Sequence, residues 1–397
     1  MDENQLKNLE GSFRILAERR VRILEDPMIK ELQKNVKNIR ENSIKNLRGL
    51  LDKAEESFKD NDIEFYIAEN GDEANNIIYD IVKDEEIIAK SKSNTLSEIG
   101  LVDFLKEKNL EVIETDLGDR IIQFMGDGPV HPTAPALHFS IQEIADIIEE
   151  KLKVKVEAKP RHILKTIKAD VLEKIRKTSV GITGANAVAA HEGSIVMVHN
   201  EGNISLLTLK DTHIIVFGID KLVNTLEDAM SVAKLETAYA TGAKIPSYIN
   251  VVSGPSKTAD IQKILLKDMY GARRVVAIAL DNGRSRTPPE CLWCIGCGSC
   301  IINCPVYNTV GYEFGYKGYL GGRGVAVTRF IEDERASFEA GIYMCTLCSR
   351  CTQACPLEIP IADIIEDVRC QVQRAGYTID AHENIRRNIK ENGTPFR

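Results

Sequence analysis

Residues 294–305 read Cys-Ile-Gly-Cys-Gly-Ser-Cys-Ile-Ile-Asn-Cys-Pro, and residues 345–356 repeat the spacing as Cys-Thr-Leu-Cys-Ser-Arg-Cys-Thr-Gln-Ala-Cys-Pro. Both runs are Cys-x2-Cys-x2-Cys-x3-Cys-Pro, a spacing that binds [4Fe–4S] clusters for a geometric reason. Three thiolates at two-residue intervals let one short loop wrap three corners of a cuboidal cluster. The fourth thiolate then closes the other cluster, and the proline turns the chain away without adding an N–H. Two [4Fe–4S] clusters are therefore expected. The first takes Cys294, Cys297, Cys300 and Cys355, and the second takes Cys345, Cys348, Cys351 and Cys304. Structural disulfides and zinc fit this pattern less well, because two-residue spacing is awkward for pairing and zinc ribbons use two separated Cys-x2-Cys knuckles.

All ten cysteines lie between Cys291 and Cys370, and the 290 residues before them have none. That asymmetry marks a cofactor domain at the C-terminal end. Cys291 extends the first run to a second possible register, although the Cys-Pro match favours a start at Cys294. It reads as a spare thiol, or as an alternative ligand or redox-active group. Cys370 reads as a small buried hydrophobe on a helix.

Working outward, the chain has 397 residues, 43% apolar and 28% charged, with a net charge of 51 − 59 = −8. This is an ordinary globular balance with room for two or three domains at roughly 150 residues each. The acidic balance gives no field for nucleic acid. The start is polar and the longest apolar runs are strand-sized, so neither membrane insertion nor secretion is expected and the protein reads as cytoplasmic. Residues 1–59 read as one or two amphipathic helices broken at Pro27. Strands are expected at 63–68, 86–90 and 110–114, alternating with helices at 72–83 and 95–108, the pattern of a largely parallel α/β sheet. Helices at 141–152 and 163–177 follow, then strands at 179–183, 193–199, 204–209 and 213–217. A helix at 222–237 and strands at 249–252 and 274–280 complete this part. The polar, turn-rich stretch 281–289 is the expected boundary, which divides the chain into a helical segment (1–60), an α/β domain (61–286) and a helical two-cluster domain (287–397) that includes a helix at 359–374.

There is no P-loop, no His-Glu-x2-His, no nucleophile elbow and no complete Gly-x-Gly-x2-Gly after a strand. A flavin is thus expected only in a partner. In the α/β domain the site-like residues are those of polar loops: Lys90, Lys92, Glu98, His131, His138, Asn186, His191, Glu192, Asn200, Glu201 and Asn203. Lys90 and Lys92 flank serines after a strand, where they could cradle an anion. His191 beside Glu192 is the weak candidate for an acid/base pair, since neighbours on an extended strand face opposite ways. Residues 200–203 read as a hairpin turn. The glycines of 318–324 suit a tight turn bringing N–H groups near cluster sulfur.

Beyond single residues, an ordered set of stretches carries a family resemblance. It includes Lys90-Ser91-Lys92-Ser93, Glu114-Thr115-Asp116-Leu117-Gly118, Gly181-Ile182-Thr183-Gly184-Ala185-Asn186, Asn200-Glu201-Gly202-Asn203, Ser253-Gly254-Pro255 and Leu280-Asp281-Asn282-Gly283-Arg284-Ser285. With the cysteine runs, these resemble the iron–sulfur subunit of the bacterial lactate-utilisation system, from about residue 40 to residue 370. The resemblance implies a lactate-utilisation (LUD) domain of NagB/RpiA/CoA-transferase-like α/β fold followed by an α-helical two-cluster ferredoxin module. It also implies an electron-transfer subunit in a multi-subunit oxidoreductase that converts L-lactate, or a related 2-hydroxy acid, to pyruvate. Its partners would be other redox subunits, such as a flavin- or cysteine-rich-domain protein, with a small carboxylate as ligand. Tyr343-Met344-Cys345-Thr346-Leu347-Cys348 is also similar to cluster-carrying subunits of heterodisulfide-reductase-type enzymes, and a stand-alone ligand-binding redox sensor is the third reading.

Overall fold

The computed structural model describes residues 1–396. Three helices open it, one more than the upper expectation: α1 (Glu3–Leu24), α2 (Pro27–Lys45) and α3 (Leu47–Asp60). Pro27 does break the chain, as the first residue of α2, where Asp26 caps the helix by accepting from the Met28 N–H at 3.0 Å. The additional break falls at Asn46. Leu9 and Phe13 of α1 and Ile29 and Val36 of α2 are buried in the same core as the cysteine-rich C-terminal region. Helix α3 instead turns Leu50, Leu51, Ala54 and Phe58 into the core beneath the α/β sheet.

The α/β body runs β1 (Ile63–Ala68), α4 (Gly71–Val82), β2 (Ile87–Lys90), α5 (Asn94–Glu98), α6 (Leu101–Glu107), β3 (Glu111–Glu114), α7 (Leu117–Met125), α8 (Ile141–Leu152), α9 (Pro160–Ile175) and β4 (Val180–Gly184). It continues through β5 (Ala187–Ala189), β6 (Ser194–His199), α10 (Asn203–Leu207), β7 (Thr212–Gly218), β8 (Leu222–Val223), α11 (Leu226–Thr241), β9 (Tyr248–Val252), β10 (Lys257–Thr258), β11 (Leu266–Lys267) and β12 (Arg274–Leu280). Six strands form a wholly parallel sheet in the order β1-β12-β7-β4-β2-β3. In β12 every residue after Arg274 is buried, as a sheet covered on both faces requires. A smaller sheet, β8-β5-β6-β9, lies against α11.

Four expectations change here. The helix at 95–108 is split by Gly100, whose φ of 62° starts α6 afresh. The expected strand at 204–209 is helix α10, because Ile204 and Leu207 are buried while Leu206 and Leu209 are exposed, a period near three rather than two. Residues 200–203 therefore lead from strand to helix and not through a hairpin. The helix expected from 222 begins at Leu226, since Leu222 and Val223 pair with Val188 and Ala189 before Thr225 caps α11.

The C-terminal region is helical, as expected: α12 (Pro289–Leu292), α13 (Ser299–Ile302), α14 (Pro305–Val310), the short strands β13 (Gly315–Tyr316) and β14 (Tyr319–Leu320), then α15 (Gly321–Ile331), α16 (Glu334–Glu339), α17 (Arg350–Ala354), α18 (Ile361–Arg374) and α19 (Asp380–Asn392). Cys370 is exposed, against the expectation, because the buried stripe of α18 is Ile361, Ile364, Ile365, Val368 and Val372. The boundary stretch is pinned rather than loose. Arg284 forks onto Glu98 (2.9 and 2.8 Å) and reaches Asp220 at 2.6 Å, all three side chains being buried. Among the described residues, no helix is long and apolar enough to cross a membrane.

Candidate cluster loops and the adjoining cleft

The two cysteine runs fold alike. Gly296 and Gly298 in the first loop, and Leu347 and Ser349 at the matching places in the second, are all left-handed, with φ of 79°, 73°, 53° and 57°. This winding points backbone N–H groups inward. The Gly296 N–H donates to Cys294 Sγ at 3.4 Å, the Leu347 N–H to Cys345 Sγ at 3.4 Å and the Tyr307 N–H to Cys304 Sγ at 3.5 Å. Such N–H···S bonds favour thiolate and are among the levers that tune an iron–sulfur centre. Each loop is also clamped by an arginine on the carbonyl three residues before its first cysteine, Arg323 on Cys291 and Arg369 on Ile342.

The fourth cysteine of the first run lies beside the second run. Cys304 lines one small cavity together with Cys345, Cys348 and Cys351. Burial pushes the Cys297 thiol up to about 12, with Cys355 its next largest influence, and Cys300 is raised well above its ordinary value by burial and then by Cys294, Cys297 and Cys355. Burial likewise takes Cys351 to about 11. Buried thiols of this kind ionise only if a cation compensates, so the donor set fits iron–sulfur clusters bound as thiolates. Three buried or half-buried guanidinium groups stand by the first loop. Arg20 donates to Ser299 Oγ at 3.1 Å, Arg40 to the carbonyl of Leu292 at 2.5 Å, and Arg323 acts as above. Cys348, in the second loop, is exposed. Gly322 borders the second cavity, where a Cβ would come within 3.9 Å of Cys351 Sγ, so the glycine-rich stretch does approach sulfur.

Against the first loop lies a cleft of about 300 Å³. It opens at the C-terminal ends of β2 and β4, neighbouring strands whose connections leave in opposite directions, β2 toward β3 and β4 toward β7. That is the topological switch point where open α/β sheets bind ligands. Of the polar-loop residues, Lys92, Asn186, Asn200, Glu201 and Asn203 reach it, and its far wall is Ile295 and Gly296 of the cluster loop. Asn186 donates to Glu236 Oε2 at 2.8 Å and accepts from the Val198 N–H at 2.9 Å. Glu236, Lys221 and His199 also line the cleft and carry no local sequence signal. Lys221 and Glu236 come from the end of β7 and from α11, far in sequence from Lys92.

The other candidates are engaged elsewhere. Lys90 is buried in a salt bridge to Glu114 (2.8 and 3.0 Å), and Glu98 is taken by Arg284. His131 Nε2 lies 3.4 Å from the Gly298 carbonyl, and burial pushes its imidazole down to about 3. His138 pairs with Asp127 at 3.2 Å. His191 is 68% exposed, and Glu192 Oε2 accepts the Leu226 N–H at 3.0 Å, at the start of α11. The two sit on a surface turn and do not line the cleft.

The LUD domain matches residues 51–280, ending with β12, and the 4Fe-4S dicluster domain matches residues 290–359, enclosing both cysteine runs. The chain belongs to the LUD family. Its curated relatives include "Lactate utilization protein B" of Geobacillus sp. (strain WCH70), 34% identical over 338 residues, which are 82% of this chain and 69% of that protein. The protein of the same name from Macrococcus caseolyticus (strain JCSC5402) is 32% identical over 366 residues, 89% of this chain and 74% of its own. A crystal structure of a DUF162 family protein from Deinococcus radiodurans aligns at 13% identity and a TM-score of 0.31, covering 59% of this chain and 98% of that one. Two [4Fe–4S] clusters are the cofactors of this LUD-family chain.

Proposed function

We propose that this chain is the iron–sulfur electron-transfer subunit of a multi-subunit cytoplasmic oxidoreductase that oxidises L-lactate to pyruvate, or a related 2-hydroxy acid to its 2-oxo acid. The relatives' name supports the substrate. The observation that carries the reading is that Cys304 of the first run lines one cavity with Cys345, Cys348 and Cys351 of the second. On this reading Cys294, Cys297, Cys300 and Cys355 hold one cluster, and Cys345, Cys348, Cys351 and Cys304 hold the other. When bound, each cluster supplies one-electron transfer. Arg20, Arg40 and Arg323 place positive charge by the inner loop, while exposed Cys348 brings the outer loop to the surface, where a partner can dock.

Oxidation of a 2-hydroxy acid releases two electrons and two protons, a step that a flavin in a partner subunit would handle before passing electrons on singly. The test is anaerobic purification from the native host. About eight iron per chain, as two four-iron clusters require, together with a copurifying partner and cluster reduction on adding lactate, is expected. A chain that carries its iron but is reduced by no lactate-oxidising partner overturns the reading.

A further inference from the structure

The cleft at the switch point is a second site that electron transfer between clusters does not use. We propose that it binds a small carboxylate anion, seated on Lys92 and in contact with the cluster loop at Gly296. The proposal rests on the electron-transfer reading only in placing a cluster in that loop.

Lys92 supplies the main argument. Its Nζ is shielded from solvent and has no hydrogen-bond partner. Three acids face it, Asp116, Asp119 and Glu201, but none comes within hydrogen-bond distance of Nζ; one oxygen of Asp116 accepts the Gly118 and Asp119 N–H groups at 3.0 and 3.3 Å, and one oxygen of Glu201 accepts the Leu117 N–H at 3.0 Å. A buried ammonium without a partner is costly, so the site is incomplete until an anionic oxygen enters. Lys90, two residues earlier, shows the contrast, since its own carboxylate, Glu114, is supplied within the protein.

The surroundings suit a small polar anion. The cleft's 300 Å³ is at the lower end of ligand pockets. Lys221 adds a second positive charge, and Asn186 a fixed polar side chain. Two of the acids that line the cleft repel less than their number suggests, because burial raises Glu236 and takes Glu201 up to about 7.

Contact with the cluster loop follows from Gly296. It lines the cleft, its Cα could carry a Cβ only 3.7 Å from Glu236 Oε1, and its N–H is the one that donates to Cys294 Sγ. A ligand pressing on Gly296 alters that N–H···S bond, and with it the inner cluster, while the outer cluster is left alone.

The experiment uses the anaerobically purified holo-protein, titrated with L-lactate, pyruvate, lactamide and inorganic phosphate. Calorimetry follows binding, and electron paramagnetic resonance of the dithionite-reduced protein follows the clusters. Saturable binding of lactate or pyruvate is expected, with one of the two cluster signals shifted and lactamide inert. Lys92→Met is expected to weaken binding by about tenfold or more, the loss of one charge-assisted contact, with iron per chain unchanged. Should that variant lose iron, Asn186→Asp, which adds a negative charge to the wall, is expected to weaken binding as well. Absence of saturable carboxylate binding, equal binding of lactamide, or tighter binding of phosphate each overturns the assignment. These failures leave dithionite reduction of both clusters intact, whereas failure of the electron-transfer reading shows as clusters that no partner reduces.

Discussion

Arg323 grips the carbonyl of Cys291 through Nε at 3.1 Å and Nη2 at 2.9 Å. Arg369 repeats the grip on Ile342 at the same two distances, so the duplicated cysteine runs have duplicated clamps. Arg323→Gln removes both donors and a buried positive charge beside Cys294. Expected are a roughly 10- to 100-fold weaker hold on the inner cluster, as loss of such supporting contacts brings, and a lower potential for whatever cluster remains. Iron analysis and a redox titration check both, with Arg369→Gln as the counterpart for the outer loop.

Crossed ligation has an arithmetic signature. Replacing Cys304 and Cys345 together should remove one cluster and leave about four iron per chain, because both belong to the same four-iron site. Replacing Cys304 and Cys294 together should damage both sites. If each run instead closed its own cluster, the two outcomes would be exchanged, and iron and sulfide counts on the two double variants decide it.

Arg284 neutralises two buried acids at once, and burial would otherwise raise Asp220, which Lys221, Arg284 and Arg40 instead hold well below the ordinary carboxylate range. Arg284→Met leaves Glu98 buried without its cation and Asp220 with only Lys221, at 3.8 Å, and Arg40. A loss of about 3–5 kcal/mol is expected, read from anaerobic urea unfolding. Adding Glu98→Gln and Asp220→Asn to the same chain should recover part of it.

Burial pushes the His213 imidazole down to about 3, against roughly 6.5 in an unfolded chain. The folded state therefore binds fewer protons between those values. The contribution is fully present above about pH 6.5 and is lost as pH falls toward 3, reaching about 1.4 kcal/mol by pH 5.5. His213→Gln should flatten the change in urea midpoint between pH 7.5 and pH 5.5. An unchanged slope would mean that His213 is not what titrates.

Much of this was readable along the chain wherever the requirement is local. Strand 274–280 appears at the expected residues, since a strand covered on both faces needs a continuous apolar run, and strand 63–68 does so at the sheet edge, where Glu64 is tolerated and Tyr66 and Ile67 are exposed. Residues 204–209 misled because Ile204, Leu206, Leu207 and Leu209 are all apolar, and only burial shows which two face the core. His191 and Glu192 suggested chemistry by adjacency alone. In the fold, Glu192 is committed to the Leu226 N–H and His191 to solvent.

The spacing of eight cysteines was enough, by itself, to specify the cofactor, because a cuboidal cluster constrains the few residues that wrap it. The cleft had no such local code. Lys92 follows β2, Asn186 follows β4, Glu236 rides on α11 and Gly296 belongs to the cluster loop, and they meet only through the order of strands and the packing of one domain on the other. Nor does the sequence show that Lys90 has a carboxylate while Lys92 has none. Pairing of buried charge is a relation between distant segments, and only the tertiary structure decides it.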